Sequence, residues 1–486
     1  MADRIPLSAG VVVLIGCGDG AVGAAYRLAN PRARLIGIEA DPTLARQAST
    51  VLDEVYCVAA EPGPLPRLPP ADCILVGPGQ VEAWAHAAEV LAELSRGLAR
   101  DGVLLVCQAL GAIEAQHGLL DMAGVQAIDA AEIDAGGPIL WRTAIGRPPT
   151  LRIVSTMLAP IGGVSEVRVV EPLGGLATEA AVTTRICNRI DDVPMLDDAA
   201  GIFILHRPAL LGEGGLANVR AVLAKGYLVV CEFDDHPSQI PVLHRSDVHN
   251  FTAVHAIQTS TNALAAVLGR ENPEIAVFPN AMRRLPDVVN FSEPGRINLL
   301  FAALNREEDW PEHLDALNAA AAAAGDGLHF HVIADRAFFD ALTTPHKLFT
   351  PICDYATYLA ILSRCEVSFM PLRDSQFNRC KSDLKFLEAA SHRVVALASP
   401  VVYGQSIRDG ENGLLFDGQQ ALYDRLMQVV NDPAAARALA ERGRTDIARH
   451  RMLAYQVAAR ARWYRDLWSR RVELHQALLA RVPALA

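Results

Sequence analysis

At 486 residues, 51% hydrophobic and 20% charged, the chain has the length of about three domains and too much apolar content to be disordered. A formal charge of −11 argues against nucleic acid as the main partner. Nine scattered cysteines without a CxxC pair fit buried, reduced thiols better than a disulfide framework or a zinc site.

MADRIPLSAG at the start lacks the charged-then-apolar plan of a signal peptide. No apolar run reaches the roughly 18 residues that span a bilayer, so a cytoplasmic protein is expected. Residues 1–148 then repeat one rhythm of short apolar strand, turn and alanine-rich helix. VVVLIG, RLIGIEA, DCILVG and GVLLVCQ read as strands, with helices near 22–30, 42–52 and 80–99. That alternation predicts a parallel, doubly wound sheet. GRPPT (146–150) reads as a linker, because paired prolines stop regular structure.

A second series opens at LRIVSTMLAPIGGVSEVRVVEPL (151–173), passes IFILHR, YLVVCEFDD and AIQTST, and ends at IAVFPNAM. A third runs from INLLFAALNREEDW (297–310) through HFHVIA, EVSFMPL and KSDLKFLEAASHRVVALASP to a hairpin-like GENGLLF turn. Beyond about 419 the chain turns helical, and the alanine run at 320–324 sits in a helix of its own. The expected fold is α/β: three consecutive Rossmann-like, doubly wound domains over 1–148, 151–290 and 291–425. Helices over 426–486 are expected to pack across the last two.

GCGDG (16–20) puts flexible backbone where a strand hands over to a helix, a place that favours an anion or a polar cofactor. Gly16 and Gly18 with Ala21 meet the permissive GxGxx(G/A) pattern, and Gly20 completes the turn. Glu39 ends the next strand, where an acid accepts ribose hydroxyls. GCGDG, GIEADPTLARQA and LARDGVLLV in this order resemble the three-part domain of class I methyltransferases, over nearly all of 1–148. The resemblance implies S-adenosylmethionine as a ligand of Gly16, Gly18, Gly20 and Glu39. Leu14 stands where that family usually carries an acid. A degenerate or structural domain and another ligand-sensing Rossmann unit, NAD-binding among them, stay open beside it.

Farther along, FNRCKSDLKFLEAAS reads as helical over SDLKFLEAAS, with Lys381, Lys385 and Glu388 at i, i+4 and i+7 on one face. Two cations beside a helix start suit a diphosphate, and a carboxylate one turn deeper suits ribose hydroxyls. The plainer reading is a solvated helix with Lys–Glu pairs.

The order of helix with a terminal glutamate, strand, Ser399–Pro400 loop and DGENGLL turn resembles the donor half of GT-B glycosyltransferases, the retaining family 4 type in particular. IAVFPNAM, HAIQTSTNALAAVL, INLLFAALNREEDW and GGVSEVRVVEPL extend the resemblance to about 151–450. It implies a nucleotide-sugar donor of unassigned base, with Glu388 on the ribose and Arg306, Lys381 and Lys385 on the diphosphate. Asn378, Ser399 and Tyr403 are placed nearby, and Gly162 and Gly163 let the acceptor-domain loop approach the phosphates. A glycan, lipid-linked or protein acceptor is implied, as in bacterial surface polysaccharide or glycoconjugate synthesis. GT-B enzymes need no metal, since basic groups and helix dipoles stabilise the leaving diphosphate. Cys380 stands where many relatives carry the first glutamate of a Glu-x7-Glu pair.

CEFDDHPSQ places Asp234, Asp235 and His236 just after a strand, in the crevice position of α/β sites, with Asp235 and His236 as catalytic candidates. Asp235 capping the next helix with His236 exposed is the alternative. RARWYRDLWSRR (460–471) joins arginines to Trp463, Tyr464 and Trp468. It suits a peripheral contact with an anionic membrane, or a terminal helix packed across the domain junction. Two other functional readings stay open: a methyltransferase with an inactive GT-B body, and a non-catalytic scaffold that binds nucleotide sugars or glycans.

Overall fold

The computed structural model describes the chain except 59–65, 109–119, 121, 123–125, 133–137, 145–149, 157–161 and 305. The expected linker at 146–150 thus falls, apart from its last residue, outside the described residues.

Three sheets follow one another. The first holds β1 (Val11–Ile15), β2 (Arg34–Glu39), β3 (Glu54–Cys57), β4 (Ala71–Val76), β5 (Leu98–Gln108), β6 (Gln126–Glu132) and β7 (Ile139–Ala144), in the order 3-2-1-4-5-7-6. β1 to β5 are parallel, but β7 runs antiparallel to both β5 and β6. The dinucleotide order 3-2-1-4-5-6 would continue with a parallel sixth strand; an antiparallel hairpin closes this edge instead. Predicted helix ends move too. The 42–52 helix is Pro42–Ala48, begun by Asp41, whose carboxylate accepts from the Thr43 and Leu44 N–H groups. The 80–99 helix breaks into Gln80–Ala83 and Ala87–Arg96.

The second sheet contains β8 (Leu151–Thr156), β9 (Val182–Cys187), β10 (Ala200–His206), β11 (Leu228–Glu232), β12 (Ala256–Thr259) and β13 (Ile275–Val277). The third contains β14 (Ile297–Ala302), β15 (Leu328–Ile333), β16 (Lys347–Thr350), β17 (Val367–Met370), β18 (Val395–Ala398) and β19 (Leu414–Leu415). Both are parallel throughout. Their central strands are buried on both faces, as parallel sheets covered by helices are. GENGLLF is therefore not a hairpin: β19 continues the parallel sheet beside β18, and the turn closes through Gly410 N–H to the Gly413 carbonyl.

The four last long helices, Gly418–Asn431, Pro433–His450, Ala454–Ser469 and Arg471–Arg481, leave the third unit and return to the second. Leu478, Val482 and Leu485 join the core around β10 and β11. Burial of each such aliphatic side chain contributes about 1.5–3 kcal/mol. Tyr464 is buried and donates to Gln258 Oε1 (2.6 Å), while Gln258 Nε2 donates to Glu232 Oε2 (2.7 Å). Glu232 also takes Arg168 in a two-point pair, and Arg168 reaches the Phe278 carbonyl and Asn280 Oδ1. Arg460 lies over the Phe278 ring, 4.3 Å from its centre, and burial pushes its guanidinium down to about 10. Trp463 meets Phe278 edge-on. Tyr464, Arg460 and one face of Trp463 thus belong to the protein's interior. Seven of the nine cysteines are buried, none in a disulfide; Cys57 is exposed and Cys353 half-buried.

Candidate functional site

In open α/β sheets, ligands bind beyond the carboxyl ends of the strands, where the strand order reverses. Those points are β1/β4 in the first sheet, β8/β10 in the second and β14/β17 in the third.

At β1/β4 the three glycines all have left-handed backbone: Gly16 at φ 66°, Gly18 at 58° and Gly20 at 88°. Glu39 binds the turn itself, accepting the Gly18 N–H at 2.8 Å through one oxygen and the Asp41 N–H at 3.0 Å through the other. Gln80 lies against Gly16, where an added Cβ would come within 2.5 Å. Above Gly18 there is open space for at least 4 Å.

At β14/β17 the organiser is Asp309, a residue that sequence reasoning passed over. Its carboxylate takes Arg306 (3.1 Å), the Arg373 N–H (2.9 Å) and Asn378 Nδ2 (3.0 Å). Arg306 also donates to Asn378 Oδ1 at 3.0 Å. Within REEDW, Asp309 looked like one more solvated acid; only its spacing of three from Arg306 could have marked it. Ser399 is buried and staples the loop after β17, donating to the Leu372 carbonyl and accepting its N–H. Tyr403 is buried beneath the same loop region, and burial pushes its phenol far up.

The helix predicted over SDLKFLEAAS begins only at Leu384, so Lys381 lies before it and does not share a face with Lys385 and Glu388. Asp383 stands at the N-cap with non-helical backbone (φ −84°, ψ 24°), and its side chain bonds to Arg451 (2.6 and 2.9 Å) and to the Ser406 hydroxyl instead of capping the helix. Lys381 turns instead to the second unit, 3.3 Å from Asp235, with its ammonium 4.2 Å from the Phe377 ring centre. Burial lowers its pKa, and Asp235 resists that shift. Nearby, Thr261 donates to the Cys380 carbonyl (3.0 Å) and Asn280 to the Ser382 hydroxyl (2.8 Å). The segment 380–382 is therefore docked beyond the carboxyl ends of β11, β12 and β13.

On that side, Arg207 follows β10 with φ 45° and lies 2.9 Å from Asp234 and 3.1 Å from Asp235. The alternative of a capping Asp235 and an exposed His236 is not what forms. His236 is buried and itself caps the Pro237–Gln239 turn, its Nδ1 accepting the Ser238 N–H. The Ser238 hydroxyl lies 2.7 Å from the same Nδ1. The ring's Nε2 is buried without a partner among the described residues.

Glu388 is 1% exposed. Tyr355 donates to its Oε1 at 2.9 Å and Tyr358 to its Oε2 at 2.8 Å. Lys385 Nζ stands 3.6 Å from the same carboxylate and 3.9 Å from the Tyr358 ring centre. Gly162 is exposed; Gly163, at φ 79°, is where a Cβ would lie 3.1 Å from the Tyr355 ring. Among the described residues no group of three or more His, Cys, Asp or Glu is placed to hold a metal ion. Among them also no helix is long and apolar enough to cross a membrane.

No protein family model and no curated protein matches the sequence. Among solved structures, the chain is similar to Anabaena HepE in complex with UDP and glucose: 11% identity, TM-score 0.46, covering 64% of this chain and 98% of that one. It is similar to a point mutant of S. aureus TarM in complex with fondaparinux, α-GlcNAc-glycerol and UDP: 11% identity, TM-score 0.40, covering 56% and 55%. It is also similar to the mitomycin 7-O-methyltransferase MmcR: 19% identity, TM-score 0.25, covering 29% and 52%. The chain spans about half the length of the last two in these matches. At TM-scores below 0.5, such likeness assigns no function.

Proposed function

We propose that the chain is a GT-B glycosyltransferase that moves a sugar from a nucleotide-sugar donor to a glycan, lipid-linked or protein acceptor. In this reading 151–290 is the acceptor domain, 291–425 the donor domain and 1–148 a methyltransferase-like domain. One observation supports it above the others: two Rossmann-type crevices face each other, joined by Lys381–Asp235 at 3.3 Å, with Arg306 at the edge of the donor crevice. The donor's diphosphate would lie between them. Arg306, Lys381 and Lys385 would offset the charge that grows as the bond from sugar C1 to the phosphate oxygen breaks. Glu388 would hold ribose hydroxyls, and Gly162 and Gly163 let backbone approach the phosphates. His236 offers its unpartnered Nε2 to a sugar or acceptor oxygen. Asp235 is tied to Arg207 and Lys381 and sets their positions. A retaining outcome and a role in surface glycan synthesis follow from the family resemblance.

Thermal denaturation with UDP-, GDP- and dTDP-sugars tests this. A donor at 100 times its Kd stabilises the chain by about 2.7 kcal/mol, and Arg306→Ala removes that gain. No stabilisation by any donor sinks the proposal. Stabilisation without turnover on a broad acceptor panel replaces it with a binding scaffold.

A second reading concerns 1–148, favoured by the open space above Gly18 beside the Glu39 carboxylate. S-adenosylmethionine is the ligand proposed there. Calorimetric titration of the full chain checks it: binding that Gly18→Val abolishes supports a cofactor site, and no heat with the unaltered chain removes it.

A further inference from the structure

Resting on the donor-site reading, we infer that Tyr355 competes with the donor nucleotide for Glu388, whereas Tyr358 positions that carboxylate. Each oxygen of Glu388 is taken by one phenol, at 2.9 and 2.8 Å. Two hydroxyl donors on one carboxylate is the arrangement a vicinal diol of ribose would make. A ribose therefore meets an acid whose strongest acceptor directions are already used by the protein itself.

The two tyrosines differ in how firmly they are held. Tyr358 lies inside the Tyr355–Leu362 helix, is buried, and has the Lys385 ammonium against its ring. Tyr355 is the first residue of that helix and half-buried. Its ring rests on Gly163 of the second unit and packs beside Tyr358, with centroids 6.0 Å apart. A swing of Tyr355 breaks one hydrogen bond, the contact with Gly163 and the packing beside Tyr358 at the edge of the core. A swing of Tyr358 would empty a core position. Tyr355 is thus the group that yields. Its departure also releases a contact between the two units, so donor binding and the approach of the Gly162–Gly163 loop are linked through one side chain.

The test titrates the full chain with UDP, GDP, dTDP and ADP by calorimetry, in the unaltered protein and in Tyr355→Phe and Tyr358→Phe. Phenylalanine keeps each ring and removes only the hydroxyl. Tyr355→Phe is expected to bind the accepted nucleotide roughly tenfold more tightly, the order of one hydrogen bond to a charged group. Tyr358→Phe is expected to bind it more weakly. Nucleotide added to the unaltered chain should also perturb a tyrosine in the near-ultraviolet difference spectrum, and that signal should be lost in Tyr355→Phe. Unchanged or weaker binding by Tyr355→Phe overturns the inference and leaves the donor site standing. Should none of the four nucleotides bind the unaltered chain or Tyr355→Phe, the donor-site reading itself fails.

Discussion

The glycine turn at 16–20 and the segment 377–388 both serve a switch point, yet they are assembled in opposite ways. The turn draws every partner from its own unit: Glu39 on Gly18, Gln80 over Gly16 and Val51 beside Gly20. The later segment draws its partners from across the chain. Asp235, Thr261 and Asn280 reach it from the second unit, Asp309 and Tyr355 from its own, and Arg451 from the terminal helices. A self-contained turn can keep its shape with little chemistry around it. A segment fixed by distant charges ties local geometry to the way whole units meet.

That contrast can be broken most severely beneath the second crevice. Glu232→Gln leaves the buried Arg168 and Arg460 without their counter-charge, and a loss of about 3–5 kcal/mol is expected from urea unfolding. A loss under ~1 kcal/mol would show that the network is not held by charge. Gly18→Val comes next. Its left-handed backbone disfavours a side chain by about 1–2 kcal/mol, and nucleotide-sugar binding by the other two units should be unaffected. If that binding falls with Gly18→Val, the turn is not self-contained.

Smaller is the tie between the units. A double-mutant cycle on Lys381→Ala and Asp235→Ala is expected to give a coupling of about 0.2–1 kcal/mol, because both side chains are partly exposed. A coupling of zero would mean that the crevices meet without this pair. Separate from that ranking is a pH effect from Glu171, whose carboxyl burial pushes up to about 7 from 4.5. Between those values it keeps its proton when folded and loses it when unfolded. Stability should therefore rise as pH falls from about 7 towards 4.5, and Glu171→Gln should flatten that rise when urea midpoints are compared.

Strand–helix alternation was enough to place the central parallel strands, because buried strands read as continuous apolar runs such as VVVLIG and YLVVCE, but the edge strands β3, β9 and β16 are less apolar and were not read. The antiparallel strands at the edge of the first sheet escaped, since QAIDAAE alternates weakly. At the candidate site, the residue types that suit a diphosphate and a ribose were visible, but their geometry was not. Helical periodicity put Lys381 beside Lys385; the non-helical backbone at Asp383 starts the helix only after Lys381. Asp309, Tyr355 and Tyr358 were invisible for a related reason. Apart from Arg306, their partners lie between thirty and seventy positions away, and one sequence holds no record of such pairs.

The return of the terminal helices sets an order of events during synthesis. The second sheet is complete once β13 has left the ribosome, but its core still lacks Leu478, Val482 and Leu485, and Gln258 still lacks Tyr464. At about 5–20 residues per second, that wait lasts roughly 10–40 s. Through this interval the half-covered face of the sheet must be shielded by chaperone or by the nascent third unit. Slow translation beyond residue 290 would therefore lengthen the period in which this chain is most prone to aggregate.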